Sequence, residues 1–268
     1  MFEDMNLQLA DKLALVTGST AGIGFAIAKA LAAEGARVIV NGRTADRVKK
    51  AIAELKQAVP NGKFEPLAID LATANGADKA VQEFSDLEIL VNNLGVYAPK
   101  KFEEITDADW TAIIDTNFLS GVRLSRHYLP RMIKRNSGRI LFIASESAVN
   151  IPVEMIHYGV TKTMQVALAR GLAETTIGTA VTVNSVLVGP TRSEGVEKFI
   201  DDMAKSRGVD AGQIEKDFFR NVRPSSLIQR FATIDEIGTY VTFLASPLSS
   251  ATNGAAIRVE GGLLRSIL

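Results

Sequence analysis

The feature that most restricts the fold is a junction near the start of the chain. The apolar run Leu13-Ala14-Leu15-Val16 leads through Thr17-Gly18-Ser19-Thr20-Ala21-Gly22-Ile23-Gly24 into a helical pattern that continues through Ala33. A short apolar run bounded by turn formers reads as a buried strand, and a buried strand that feeds a helix through a tight loop begins a parallel βα unit. Gly18, Gly22 and Gly24 make a glycine turn between strand and helix. Glycine admits positive φ and lets the main chain approach a ligand closely, while the free N–H groups at a helix N-terminus stabilise an anion such as a pyrophosphate. An ordinary βα turn can use the same residues, so this junction alone leaves both readings open.

The alternation continues along the chain, as a doubly wound α/β sheet requires. Strand-like runs recur at Arg37 to Val40, Leu67 to Ile69, Ile89 to Val91, Arg139 to Ile143, Ala180 to Val188 and Ala256 to Val259. With the first, that makes seven strands. Helical patterns lie between them, including Thr44 to Val59, Asp107 to Arg135, Tyr158 to Ile177 and Thr233 to Ala245. Thr106 and Thr233 each precede acidic residues, as N-caps do. With 268 residues, 47% of them hydrophobic, the chain can bury a sizeable core as one domain over residues 1–268, and no repeat or linker divides it.

Charge and composition disfavour several function classes. Thirty basic residues balance thirty acidic ones, which provides no footprint for nucleic acid or an anionic membrane surface. There are no cysteines, and the two histidines, His127 and His157, form no ligand cluster, so no metal is expected. The start Met1-Phe2-Glu3-Asp4 is acidic without an apolar signal core, and no stretch reaches the ~20 apolar residues of a membrane span. A cytoplasmic protein is the expectation.

Candidate chemistry sits farther along. Tyr158 and Lys162 are four residues apart on a predicted helix, and Ser145 precedes the tyrosine by thirteen, at the end of the Arg139 to Ala144 run. Four residues along a helix put both side chains on one face. A free tyrosine, with a pKa of about 10, is a poor acid or base near neutrality, but a nearby ammonium favours the phenolate and is expected to lower that value. An exposed tyrosine beside a lysine would show the same spacing. His157 adjoins Tyr158 but projects about 100° round the helix, which predicts a surface or interface role.

The glycine pattern at Thr17, Gly18, Gly22 and Gly24, together with Asn92-Asn93-Leu94-Gly95, Asn117, Ser145, Tyr158 and Lys162, resembles the classical short-chain dehydrogenase/reductase family from about Lys12 to Gly262. The resemblance implies a single-domain oxidoreductase using NAD or NADP, with strand order 3-2-1-4-5-6-7. It implies that Ser145 binds the substrate oxygen, that Tyr158 exchanges a proton with it, and that Lys162 lowers the tyrosine pKa and holds the nicotinamide ribose. Asn117, otherwise a polar helix residue, would hold through its backbone carbonyl a water linking Lys162 to solvent. Asp70 would receive the adenine amino group, although a helix N-cap reads the same. Asn92 and Gly95 end the fourth strand, and Leu94, where the family usually has alanine, is expected to pack into the core. The cofactor site implied also takes in Ser19, Thr20, Ile23, Leu71, Gly189 and Thr191.

The second strand ends in Asn41-Gly42-Arg43. An acidic residue there would hold the ribose hydroxyls of NAD and repel a 2′-phosphate, whereas Arg43 can pair with that phosphate. NADP is therefore favoured. NAD is the alternative, because Ala21 removes a basic residue many NADP-using relatives carry, and an arginine that merely opens the next helix would look the same.

Substrate features are less specific. Residues 191–224 form the longest insertion, with Val196, Phe199, Ile200 and Met203 at helical spacing, which reads either as a lid or as a stripe packed on the body or on another subunit. Ile151, Val153, Met155, Val188, Phe199 and Met203 are the expected pocket residues beside Ser145, predicting a largely apolar carbonyl or alcohol substrate. A catalytically idle dinucleotide-binding sensor or scaffold is the alternative, disfavoured because all four active-site positions carry the expected residue types. An enoyl reductase is disfavoured because that branch separates its tyrosine and lysine by six residues. Gly121, Ala167, Ala169 and Gly171 on the long helices, by the family's example, point to a homotetramer, with a dimer as runner-up.

Overall fold

The computed structural model describes residues 6–267, apart from the side chain of Phe199. The acidic start read from Met1-Phe2-Glu3-Asp4 therefore lies outside the described residues. The strands are β1 (Leu13–Val16), β2 (Arg37–Gly42), β3 (Lys63–Ala68), β4 (Ile89–Asn92), β5 (Gly138–Ile143), β6 (Val181–Val188), β7 (Thr191–Arg192), β8 (Ala232–Thr233) and β9 (Ala256–Val259). The helices are α1 (Gly22–Ala33), α2 (Ala45–Ala58), α3 (Ala74–Glu83), α4 (Asp107–Ile114), α5 (Ser120–Arg135), α6 (Ile156–Glu174), α7 (Glu194–Arg207), α8 (Ala211–Asn221) and α9 (Ile234–Ala245).

One seven-stranded parallel sheet runs β3-β2-β1-β4-β5-β6-β9, and β7 pairs with β8 in a separate ribbon. The order matches the expected 3-2-1-4-5-6-7. Strand alternation sorts side chains onto two faces. Ala14 and Val16 join Ile27, Leu31, Val48, Leu55, Ile237 and Val241, so α1, α2 and α9 cover one face. Leu15 joins Leu67, Leu124, Tyr128, Met132 and Ala169, so α5 and α6 help to cover the other. Strand β1 pairs with β2 on one side and β4 on the other, which puts the reversal of strand order at the carboxyl ends of β1 and β4. Ligands of open α/β sheets bind in that crevice.

Three boundaries differ from the sequence reading, each for a local reason. Strand β3 begins at Lys63, earlier than the Leu67 to Ile69 run, because it is an edge strand whose charged Lys63 and Glu65 mask its pattern. The segment from Asp107 to Arg135 is not one α-helix: a π-turn over Asp115–Leu119 separates α4 from α5 and carries Asn117. The insertion forms α7 and α8, whose Ile200, Ala204, Ile214 and Phe219 build a satellite core with Phe231. Thr106 and Thr233 are N-caps in full capping boxes with Asp109 and Glu236.

Gly121 faces inward, since a Cβ there would lie 2.8 Å from the Phe142 ring, and Ala169 is buried in the core. Ala167 and Gly171 point outward. Among the described residues no helix is long and apolar enough to cross a membrane, and no group of His, Asp and Glu is gathered to hold a metal ion.

Candidate active site

The glycine loop is held by side chains more than by its own turns. Gly18 and Gly22 have φ of 63° and 58°, in the left-handed region that penalises a Cβ. At Gly24 a Cβ would come within 2.5 Å of both the Asn93 side chain and the Gly18 carbonyl. Asn93 Nδ2 donates to the Thr17 and Gly18 carbonyls at 2.9 and 3.2 Å, and Thr17 Oγ1 accepts from the Asn93 and Leu94 amides at 2.9 and 2.8 Å. From the other side, Asn41 Oδ1 accepts from the Gly18 amide at 3.0 Å while its Nδ2 donates to the Leu67 and Ile69 carbonyls. Ser19 Oγ donates to the Val16 carbonyl at 2.7 Å and accepts from the Asn41 amide at 2.9 Å.

Beyond the loop, α1 starts without a side-chain cap at Ala21 and without an acidic residue in its first turn. Its first N–H groups therefore remain available to an anion. The glycine cradle and this open helix end fit the pyrophosphate of a dinucleotide. They border a cleft of about 490 Å³ that also touches Gly95, Tyr97, Ser145, Tyr158, Lys162, Val188, Gly189, Thr191 and Val196. The chemistry candidates and the glycine loop thus share one cavity.

Within it, β5 delivers Ser145 and α6 delivers Tyr158 and Lys162 on one face. Lys162 Nζ stands 5.6 Å from the Tyr158 ring centroid and donates to the Ile143 carbonyl at 2.8 Å and to Gln165 Oε1 at 3.2 Å. Tyr97 meets the Tyr158 ring edge-on at 6.2 Å. Burial pushes the Tyr158 hydroxyl up to about 12, with the Ser145 hydroxyl pulling the other way and Glu146 and Tyr97 adding to the rise. Burial likewise lowers Lys162 to about 8. Both shifts have burial as their largest cause, since an enclosed phenol and an enclosed ammonium each favour the neutral form. At neutral pH Tyr158 is a protonated acid.

Asn117 Oδ1 accepts from the Val96 amide at 2.8 Å, and its Nδ2 donates to the Val96 carbonyl and to Thr161 Oγ1. Its side chain therefore clips the loop after β4 onto α6. Its backbone carbonyl accepts from Gln165 Nε2 at 2.5 Å.

Several other predicted residues lie off the cleft. Asn92 is buried against Ser125, and its neighbour Asn93 lines the cleft instead. Leu71 packs in the core, Thr20 packs over Gly42, and Asp70 accepts from the Ala72 amide at the end of β3, with Thr73 as the N-cap of α3. Leu94 packs on the core and also touches the cleft. Arg43 is exposed. Ile151 packs over Gly159, and Val153, 80% exposed, borders a surface groove with Lys101 and Glu104. Met155 ends a 3-10 turn before α6, and Met203 belongs to the satellite core. None of these four lines the cleft, whereas Ser145 and Val188 do, as does Val196 from the insertion. The Phe199 side chain lies outside what is described. His157 is buried against Trp110, ring centroids 6.0 Å apart, and is not at the surface. Asn41, Asn93 and Gln165 were missed. Asn93 stood inside the quoted Asn-Asn motif, and Gln165 follows Lys162 by three on the same helix face.

The profile of the family described as short chain dehydrogenase matches residues 12–204. The chain is 48% identical over 263 residues to an oxidoreductase of Bacillus subtilis called YvaG, described as uncharacterized, covering 98% of this chain and 100% of the relative. It is 34% identical to a D-beta-hydroxybutyrate dehydrogenase of Cupriavidus necator, covering 95% of this chain and 98% of the relative. The fold matches the L-sorbose reductase of Gluconobacter frateurii, crystallised with NADPH and L-sorbose, with a TM-score of 0.91 and 30% identity over 98% of this chain and 100% of that one.

An enclosed lysine of lowered pKa carries a measurable stability cost. Between about 8 and the ordinary lysine value near 10.5 the unfolded chain holds the proton that the folded chain has released, so stability rises with pH across that window. Below it the desolvation cost is fully present. Lys162→Met is expected to raise the unfolding free energy measured in urea at pH near 7 by roughly 1 kcal/mol or more, and the gain should shrink as pH climbs through the window. A destabilised variant at neutral pH would contradict the account.

Proposed function

The chain belongs to the short chain dehydrogenase family of NAD(P)-dependent oxidoreductases acting on alcohol and carbonyl groups, and from that premise we propose that Tyr158 is the proton donor when a ketone is reduced and the acceptor when a secondary alcohol is oxidised. One observation carries this reading: Ser145, Tyr158 and Lys162 converge in the same cleft as the glycine loop. When bound, the nicotinamide cofactor supplies or receives the hydride. Ser145 donates a hydrogen bond to the substrate oxygen, and Tyr158, protonated near neutrality, delivers its proton there. The phenolate left behind is stabilised by the Lys162 ammonium and the Ser145 hydroxyl.

NADP is the proposed cofactor. The end of β2 has no acidic side chain, Asn41 is engaged with the glycine loop, and Arg43 is exposed beside it. The substrate proposed is neutral and largely apolar. The cleft near Tyr158 presents Ile143, Tyr97, Val188 and Val196, and Arg223, in the same insertion, is paired with Glu146 at 3.2 Å and so is engaged already. A homotetramer is the proposed assembly, with a dimer as runner-up. The outward Ala167 and Gly171 of α6, and the partly exposed Tyr240 and Phe243 of α9, are surfaces suited to it.

Tyr158→Phe should keep the fold and cofactor affinity while lowering turnover by about 10²- to 10⁴-fold; near-normal turnover would refute the proton-donor role. Arg43→Ala should weaken NADPH binding by roughly 1.5 to 3 kcal/mol while barely touching NADH. Titration calorimetry with both dinucleotides decides, and equal losses would return Arg43 to a simple surface residue. Light scattering at micromolar protein should give the mass of four protomers, and a monomeric mass would refute both assemblies.

A further inference from the structure

Among the described residues, the cleft that holds Tyr158 carries a single exposed charge. Lys162 and Glu194 are the charged side chains that line it, and Lys162 is buried whereas Glu194 is exposed. Glu194 opens α7, the first helix of the insertion. Its two chain neighbours fix where it stands. A Cβ on Gly22 would lie 3.7 Å from the Ser193 side chain, and a Cβ on Gly195 would lie 3.9 Å from the Tyr97 hydroxyl. The first turn of α7 therefore reaches from the glycine loop to Tyr97, whose ring meets Tyr158 edge-on. Glu194 lies between those contacts, at the mouth through which a molecule reaches Tyr158.

An acidic residue in the first turn of a helix complements the helix dipole, and α7 has two, Glu194 and Glu197. That role accounts for either residue, but it does not account for the place of Glu194 on the cleft, which Glu197 does not line. Nor is Glu194 neutralised. Two arginines of the same insertion are already engaged, Arg192 with Glu215 and Arg223 with Glu146, and among the described residues Glu194 has no ion-pair partner. A carboxylate left unpaired at the rim of a cleft repels an anion that enters and attracts a cation.

We propose that Glu194 is a specificity-determining residue that filters substrates by charge: the cleft admits a neutral ketone, prefers one that carries a positive charge away from its carbonyl, and rejects one that carries a carboxylate. The proposal rests on the reading of Tyr158 as the proton donor to a ketone, and it names which ketones reach that hydroxyl. The same carboxylate acts on a dinucleotide. The open start of α1 that fits a pyrophosphate lies beside the glycine loop, and Ser193 packs over that loop at Gly22, so a diphosphate binds against a standing repulsion from the next residue. Two unit charges across a solvated cleft change an equilibrium by a factor of roughly 5. The effect fades with added salt because Glu194 is open to solvent.

The test holds the ketone fixed and varies its charge. Levulinate, levulinamide and a trimethylammonium ketone of the same chain length are reduced with NADPH at low salt by the full-length protein, and kcat/KM should rise in that order. In Glu194→Gln the preference for levulinamide over levulinate should fall by about 5-fold, and in Glu194→Lys the order should reverse. Glu197→Gln, which removes the same charge from the same helix turn but not from the cleft, should leave the preference as it was. Salt of about 0.5 M should bring the unaltered protein close to Glu194→Gln. A preference that Glu194→Gln does not change, or that Glu197→Gln changes equally, would overturn the filter and make Glu194 a helix-end residue. If no form of the protein turns over any of these ketones, the oxidoreductase reading fails, and calorimetry with NADPH still decides whether Glu194 screens anions. Binding tightened by a similar factor in Glu194→Gln upholds the screen, and unchanged binding overturns it.

Discussion

A lysine ammonium enclosed without a carboxylate sets the terms for the rest of the site. Lys162 is satisfied by a backbone carbonyl at the end of β5 and by the Gln165 side chain. Neutral acceptors compensate a buried charge only in part, which is why its pKa is lowered. A carboxylate in that position would relieve the cost but neutralise the charge that the proposed proton transfer calls for beside a developing phenolate. The arrangement exchanges stability for an electrostatic field directed at one hydroxyl.

That field is useful only if the dinucleotide end of the cleft is held in register with it, and side-chain amides provide the link. Asn93, directly after β4, binds the glycine loop from one side and Asn41, on β2, from the other. Asn117 ties the loop after β4 to α6 through Val96 and Thr161. Each amide offers both donor and acceptor, so one residue type can join two strand ends or a strand end and a helix where backbone ladders have stopped. The cleft is thereby built on the ends of rigid elements, with α7 contributing Val196 at its edge.

The sheet was legible from sequence because buried parallel strands read as short apolar runs between glycine and polar turns. The strands at Leu13, Arg37, Ile89, Arg139, Val181 and Ala256 needed little correction, whereas β3 was truncated because an edge strand carries Lys63 and Glu65 on its exposed side. Ser145, Tyr158 and Lys162 were recognisable by spacing. Long-range hydrogen bonds were not: the link from Asn93 to Thr17 spans 76 residues and that from Gln165 to Asn117 spans 48, and no local pattern encodes them. Ile151, Val153 and Met203 stand off the cleft for a related reason, because apolar side chains near a site in sequence are drawn to whichever surface packs them, here Gly159, an outer groove and the α7–α8 core. The π-turn at Asn117 escaped notice because the weak helix formers Asp115, Thr116 and Asn117 lower helix propensity without specifying an i+5 turn.

The central claim is that the cleft joining the glycine loop to Tyr158 carries out hydride transfer at a carbonyl carbon. Reduction of a panel of neutral ketones with NADPH deuterated at the transferring position of its nicotinamide ring tests it most directly, with products analysed by mass spectrometry. The account predicts deuterium on the carbinol carbon of at least one product, and loss of that product when Tyr158 is replaced by Phe. NADPH that binds in the cleft yet transfers no label to any ketone would contradict it.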